Sequence, residues 1–233
     1  MSLTKQQEAI PFVATLLWFA LLWFGVIAVN VNQQLGLIYL GVFTLGSMFL
    51  YFTDVVKTTP LDRTGKWAFP IVQGIGLYAL FVILASVLSS TFAKIPLSNV
   101  WQLLLVSAPA LAASRIMNII TFVGPVAFIE TMFLIMSLDF LASFFHIDIS
   151  RNGMFKPKTL LLVASLVFIM VVFHITAKGI SNNLALMLVA LMFFITLMSA
   201  IYFGEAKQAV IFHVVSNMFG IGLFNTILTS TLV

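Results

Sequence analysis

The sequence predicts an all-α fold, a polytopic bundle of transmembrane helices, on three observations. Hydrophobic residues make up 62% of the 233 residues, only 8% are charged, and the mean hydropathy is +1.16. Soluble domains carry roughly 25% charged residues, so a soluble globule with this composition would lack the polar groups to cover its surface. Membrane spans of about 20 residues with short loops fill the chain, which predicts a single integral membrane domain over residues 1–233.

Seven apolar runs have the length of a membrane span, and each is predicted to be a helix. They cover residues 10–29, 35–53, 67–92, 125–145, 159–177, 184–203 and 208–228. A shorter apolar stretch, 98–114, contains Pro109 and precedes the pair Gly124-Pro125. Because proline removes a backbone donor and Gly-Pro favours a break, this stretch is predicted to be a re-entrant or interfacial helix.

The distribution of basic residues favours seven spans over eight. Cytoplasmic loops carry the excess of Lys and Arg in membrane proteins. With seven spans, eight of the 11 basic residues lie on one side and three on the other, whereas a spanning 98–114 segment would divide them six to five. We therefore expect seven spans and a cytoplasmic N-terminus. The side with eight carries Lys5, Lys57, Arg63, Lys66, Arg151, Lys156, Lys158 and Lys207.

Charge and cysteine content exclude several classes of function. The formal net charge of +4 is explained by loop orientation, so no nucleic-acid partner is indicated. The chain has no cysteine, which excludes disulfides, thiolate metal sites, cysteine nucleophiles and iron–sulfur clusters. The partner that the composition does predict is the lipid bilayer, for a multi-pass protein of the cell membrane.

Four ionisable side chains lie within predicted spans, where a charge costs at least about 2.5–3.5 kcal/mol at the helix centre. They are Glu130, Asp139, His174 and His213. Glu130 and Asp139 are nine residues apart, about 900° of helical rotation, which places them on opposite faces and excludes a carboxylate dyad. We expect a structural role for Asp139, which lies towards the cytoplasmic end of its helix.

The last helix adds a second polar side chain beside its histidine. His213 and Asn217 are four residues apart, so both project from one face about one turn apart. Hydrogen bonding between helices explains His213 and Asn217 as readily as a functional site does, and for Glu130 it is the alternative to the functional role that we favour. In the seven-span topology Glu130 and His174 lie near outer helix ends and His213 near an inner end. A common site therefore requires tilted helices or shifted boundaries.

In chain order, Glu130, then His174 on the next span, then His213-Val-Val-Ser-Asn217 two spans later resemble a known family pattern. The resemblance is to the CPBP family of intramembrane proteases, which includes CAAX-processing, Ras-converting and bacteriocin-protection enzymes. Its motifs are Glu-Glu-x-x-x-Arg, Phe-x-x-x-His and His-x-x-x-Asn, and the last is fully matched. The first retains only one Glu and no Arg, and Met170 stands where the second has Phe. The resemblance covers about residues 120–220.

The resemblance implies a metal-independent, glutamate-type peptidase that hydrolyses peptide bonds of a membrane-associated peptide or protein. Glu130 and His174 would activate water, and His213 and Asn217 would donate hydrogen bonds to the tetrahedral oxyanion. No cofactor and no metal would be required.

Three alternatives remain open. Because the second Glu and the Arg of the first motif are missing, the chain is alternatively a degenerate scaffold or a subunit of a larger membrane complex. Glu130, His174 and His213 also supply the ligand types of a zinc site, although no His-Glu-x-x-His spacing is present. A proton-coupled transporter would use Glu130 as its titrating group and Gly124-Pro125 as a helix break.

Overall fold

The computed structural model describes a helical bundle in two main stretches of the chain. The described residues are 13, 16–24, 38, 42, 68–93, 126–177, 179–180 and 182–217. They form five α-helices between residues 68 and 217 and contain no strand, and residues 16–24 are also helical. The helices are α1, Ala68–Leu88, continued as a π-helix over Ser89–Ala93; α2, Ala127–Phe144; α3, Pro157–Thr176; α4, Asn183–Phe203; and α5, Lys207–Asn217.

Four of these helices are long and apolar enough to cross a membrane, so the described residues agree with the prediction of a helical membrane protein. Their spanning segments are Ala68–Thr91, Ala127–Phe144, Pro157–Thr176 and Asn183–Phe203. Each agrees within two residues with a predicted span, and α5 falls within the predicted 208–228 helix apart from its first residue. Most of the 35–53 span, the 98–114 stretch and residues 218–228 lie outside the described residues.

Helix ends follow local sequence signals. Pro157 occupies the first turn of α3, where its missing N–H has no intrahelical partner to lose. The side chain of Asn182 caps α4 by accepting a hydrogen bond from the Ala185 amide at 3.1 Å. Gly204 ends α4 in the left-handed region, with φ of 68°, a conformation that glycine adopts without steric cost. The chain therefore reverses within residues 204–206 and enters α5.

The turn between α2 and α3 is organised around Asp148. Its carboxylate accepts hydrogen bonds from the Ser150 amide at 3.0 Å and the Lys156 ammonium at 2.8 Å, and its carbonyl accepts one from the Thr159 hydroxyl. Gly153 packs directly on Asp148, so that any Cβ there would overlap the Asp148 backbone carbonyl. The turn is thus compact and is held together by hydrogen bonds to Asp148.

Aromatic side chains fill the centre of the bundle and draw the N-terminal segment into it. Phe19 stacks on Phe133 of α2 with ring centroids 4.0 Å apart, and it also contacts Phe173 of α3. The α2 and α4 spans are the most enclosed, with 67% and 72% of their apolar windows buried, against 17% for α1. Hence α2 and α4 form the middle of the described bundle, whereas α1 is the least enclosed of the four spans.

Helix α5 packs most closely against α1, at a glycine. A Cβ at Gly74 would lie 2.5 Å from Ile211 Cγ2 and 3.1 Å from the Gln208 carbonyl oxygen, so only glycine admits this approach. Small residues at a helix contact bring two backbones together in this way in membrane proteins. This contact determines how closely α5 approaches α1.

Replacing Gly74 tests this contact. Gly74→Ala should lower the free energy of unfolding by about 1–3 kcal/mol, because the added methyl group overlaps the branched side chain of Ile211. Gly76→Ala is the matched control, since a Cβ at Gly76 meets nothing within 4 Å and alanine favours the helix. Unfolding of the detergent-solubilised variants measures both, and equal stability of the two variants would contradict the prediction.

The Asp148 turn predicts a pH dependence. The hydrogen bond from Lys156, and then those from Ser150, hold the pKa of the Asp148 carboxyl well below its ordinary value. A lowered folded-state pKa stabilises the fold fully above the unfolded value of about 3.9, and this contribution declines as the pH falls below it. The difference in melting temperature between the native protein and Asp148→Asn should therefore shrink on acidification below about pH 3.9. A difference that grows on acidification would contradict it.

Candidate active site

Glu130 and His213 meet in the interior of the bundle. Glu130 lies in the first turn of α2 and His213 in the middle of α5. The Nε2 atom of His213 is 3.3 Å from Oε2 of Glu130, and both side chains are fully buried, at 0% exposure. The structure therefore brings together two of the residues that the sequence singles out, from helices that are not neighbours in the chain.

This meeting is possible because α5 begins deep in the bundle and runs antiparallel to α2. Ile135 lies in the middle of α2 and shares a small buried cluster with Ala209 at the start of α5. Four residues further along α5, His213 contacts Thr131, four residues back along α2. The two helices thus keep a constant register. The sequence predicts Glu130 near the outer end of its span and His213 near the inner end of its own. The contact between the two side chains shows that this prediction is wrong.

Thr131 fixes the orientation and the tautomer of His213. The Thr131 hydroxyl donates its single proton to the Ala127 carbonyl at 2.8 Å and lies 2.9 Å from Nδ1 of His213. Because that proton is already used, the hydroxyl oxygen accepts a hydrogen bond from Nδ1–H. Nε2 is consequently the imidazole atom that faces Glu130.

One proton held between His213 and Glu130 makes this buried pair neutral overall. With Nδ1 protonated, the pair is either a neutral imidazole with a carboxylic acid or an imidazolium with a carboxylate. An unpaired charge in this apolar interior would be strongly unfavourable, whereas both of these arrangements are neutral overall. The pair can therefore hold or release a proton at two atoms 3.3 Å apart.

His174 belongs to the same buried region. It lies near the end of α3, is 3% exposed, and its Nδ1–H donates to the Met170 carbonyl at 2.8 Å. The ring of Phe193 on α4 contacts His174 with centroids 5.3 Å apart and His213 with centroids 5.1 Å apart, edge to face in both cases. Both histidines thus pack on the ring of Phe193. The Nδ1 atom of each is hydrogen-bonded, in His213 to Thr131 and in His174 to Met170, and the Nε2 atom takes no part in that bond.

Asn217 lies at the described end of α5, one turn beyond His213, and is half-buried. It follows Ser216, whose hydroxyl is buried. The spacing of His213 and Asn217 along the helix is as the sequence predicts.

Sequence reasoning missed Thr131 and Phe193. A threonine within a helix ordinarily bonds only to its own backbone, and a phenylalanine in a chain with 24 of them carries no signal. The one available indication was the position of Thr131 directly after a glutamate within a membrane span.

No family model, curated protein or solved structure matches this chain. Across the described residues, no three His, Asp or Glu side chains lie close enough together to hold a metal ion.

Removing the Thr131 hydroxyl tests its hold on His213. Thr131→Val should destabilise the protein by about 1–3 kcal/mol, because Nδ1–H of His213 would then be buried without an acceptor. Thr131→Ser keeps the hydroxyl and should retain most of the stability. Unfolding in detergent gives the free energies, and ¹⁵N NMR of the imidazole reports the tautomer. Equal effects of valine and serine would count against this role.

Proposed function

We propose that this protein is an intramembrane, metal-independent, glutamate-type peptidase similar to the CPBP and CAAX proteases. Its substrates would be membrane-associated peptides or proteins. The observation that carries the proposal is the contact of Glu130 with His213 inside the membrane-spanning bundle, with Nε2 and Oε2 at 3.3 Å. A hydrolase needs a base and a hydrogen-bond donor held at the reacting atoms, and this pair supplies both.

In the proposed reaction Glu130 is the carboxylate and His213 the imidazolium. Glu130 takes a proton from water, and the remaining hydroxide attacks the carbonyl carbon of the peptide bond. Nε2–H of His213 donates to the oxyanion that forms, while Nδ1–H stays bound to Thr131. When the intermediate collapses, the C–N bond breaks and the proton on Glu130 passes to the leaving nitrogen. The products are a carboxylic acid and an amine, so atoms and charges balance.

His174 and Asn217 complete the proposed site. His174 would orient the attacking water together with Glu130, and because its Nδ1–H is bonded to the Met170 carbonyl, Nε2 is the atom that would do so. Asn217 lies one turn beyond His213 on α5 and offers an amide donor for the oxyanion. These are the roles that the sequence resemblance implies for the four residues.

We place this site in a bundle of seven spans in the cell membrane, with the N-terminus in the cytoplasm. The CPBP-like core would extend over about residues 120–220. Support comes from the four apolar spans and from the basic residues of the turn between α2 and α3, which carries Arg151, Lys156 and Lys158.

A second candidate function is a degenerate scaffold or a subunit of a membrane complex. The complete burial of Glu130 and His213 favours it, because such a pair also joins two helices without any catalysis. The loss of the second Glu and the Arg of the first motif agrees with this alternative.

Catalysis is tested by replacing the proposed base Glu130 with glutamine, which has a similar shape but no carboxylate, and by removing the imidazole of His174. Glu130→Gln and His174→Ala should each reduce cleavage by about 10²–10⁴-fold, the usual contribution of acid–base catalysis. Asp139→Asn is the matched control, since it removes a carboxylate from the same helix on the opposite face. New peptide termini are counted by mass spectrometry in membranes from cells with each variant or with none.

The two functions give different results in this experiment. Termini that depend on the native protein and vanish with Glu130→Gln support the peptidase. Identical termini with and without the protein, together with stoichiometric co-purification of a membrane partner, support the scaffold and overturn the peptidase.

A further inference from the structure

Three basic side chains lie on the turn that joins α2 to α3. Residues 146–158 carry Arg151, Lys156 and Lys158 and a single carboxylate, that of Asp148, which gives this segment a formal net charge of +2. All three basic residues are exposed. Because α2 and α3 are both long and apolar enough to span a membrane, the turn between them lies at the level of the lipid headgroups.

Contacts to Asp148 hold two of these cations on one compact turn. The Asp148 carboxylate accepts a hydrogen bond from the Ser150 amide at 3.0 Å, and its backbone carbonyl accepts one from the Thr159 hydroxyl at 3.1 Å. Arg151 directly follows Ser150, and Lys158 directly precedes Thr159. The turn therefore carries both cations on residues next to partners of Asp148, although the two are seven residues apart in the sequence.

The charge of Lys158 is available to a ligand, whereas that of Lys156 is not. The Lys156 ammonium forms an ion pair with Asp148 at 2.8 Å. Lys158 has no ion pair or hydrogen bond with any residue that the structure describes. It also lies in the first turn of α3, where the helix dipole disfavours a cation, so its charge does not stabilise the helix itself.

Arg151 is held in a defined position on the same turn. Its guanidinium carbon lies 4.2 Å from the centroid of the Tyr202 ring, and one of its N–H groups donates to the Tyr202 hydroxyl. A guanidinium has five N–H donors, so this contact leaves others in a planar arrangement that matches the oxygens of a phosphate. Because Tyr202 orients the group in advance, less conformational entropy is lost when a ligand binds.

Exposed phenylalanine side chains belong to this turn as well. Phe144 and Phe145, at the end of α2, and Phe155, directly before Lys156, are 57–73% exposed. Phenyl rings are unfavourable in water, whereas the boundary between headgroups and acyl chains accepts them. Basic and aromatic side chains together are typical of protein surfaces that bind anionic lipid. A free phosphate ion would explain the cations but not the exposed rings.

We propose that the α2–α3 turn binds the headgroup of an anionic phospholipid. Arg151 and Lys158 contact the phosphate oxygens, and the three exposed phenylalanines enter the upper part of the acyl-chain region. Charge complementarity selects an anionic over a zwitterionic lipid, because a choline group would bring a further cation to a turn that already carries a net charge of +2. This binding stands apart from the proposed peptidase activity.

Lipid selectivity is measured by native mass spectrometry of the full-length protein in detergent. The protein is titrated with phosphatidylglycerol or with phosphatidylcholine, both with one palmitoyl and one oleoyl chain. A basic residue near a lipid surface changes affinity by about fivefold, so phosphatidylglycerol should bind about tenfold more tightly or better. Equal affinities for the two lipids would overturn the proposal.

The variant Lys158→Gln tests the position of the site, and Lys178→Gln is its matched control. Lys158 is exposed and has no described partner, so its replacement should leave the melting temperature without added lipid unchanged. It should weaken the binding of phosphatidylglycerol about fivefold. Lys178 follows the other end of α3 in the sequence, and the same change there should leave the affinity unaltered. Equal losses in the two variants would contradict a site on this turn.

The variant Phe155→Ser distinguishes a lipid from a free anion. It should weaken the binding of phosphatidylglycerol about fivefold or more, because the ring no longer enters the acyl-chain region. Inorganic phosphate supplies the anion without the chains, and an equimolar amount should not displace the lipid. Displacement by inorganic phosphate, or full binding of phosphatidylglycerol by Phe155→Ser, would reject the assignment to a lipid.

Discussion

Charge neutrality in a water-poor interior is the constraint on which the rest of this structure depends. A carboxyl group and an imidazole are each unfavourable in that setting when charged and alone, and the contact of Glu130 with His213 lowers this cost when the two share one proton. The contact is made because α5 runs antiparallel to α2 and reaches the first turn of that helix. Thr131 then determines which nitrogen of the imidazole takes part, because its hydroxyl is available only as an acceptor.

Small side chains let the helices approach closely enough for Glu130 and His213 to make this contact. Gly74 allows α1 to approach α5 from one side, and the alanines at 200, 206 and 209 let the end of α4 and the start of α5 lie close to α2. Helices in lipid gain little from burying apolar surface against each other, so close backbone approach and interhelical polar contacts decide their packing. In α5 both kinds of contact occur on one short helix.

The spans were predictable from sequence because they depend on length and hydropathy alone, and the four that the structure describes agree with prediction at both ends. The candidate residues Glu130 and His213 were predictable because ionisable groups are rare in spans. Their mutual contact was not, since it depends on the depth at which α5 begins. That depth follows from the left-handed Gly204 and the alanine cluster, which hydropathy does not register. Thr131 and Phe193 were missed because their residue types carry no distinctive signal in an apolar helix.

The corner at Gly204 also bears on how the bundle is assembled. Ala206 beside it shares a buried cluster with Ile135 of α2, and Lys207 is only 6% exposed. Two residues before the corner, the Tyr202 hydroxyl accepts a hydrogen bond from Arg151 of the turn between α2 and α3. The corner is therefore attached both to α2 and to the turn that follows it. A change that loosens these contacts would also release α5 from α2, and with it the contact of His213 with Glu130.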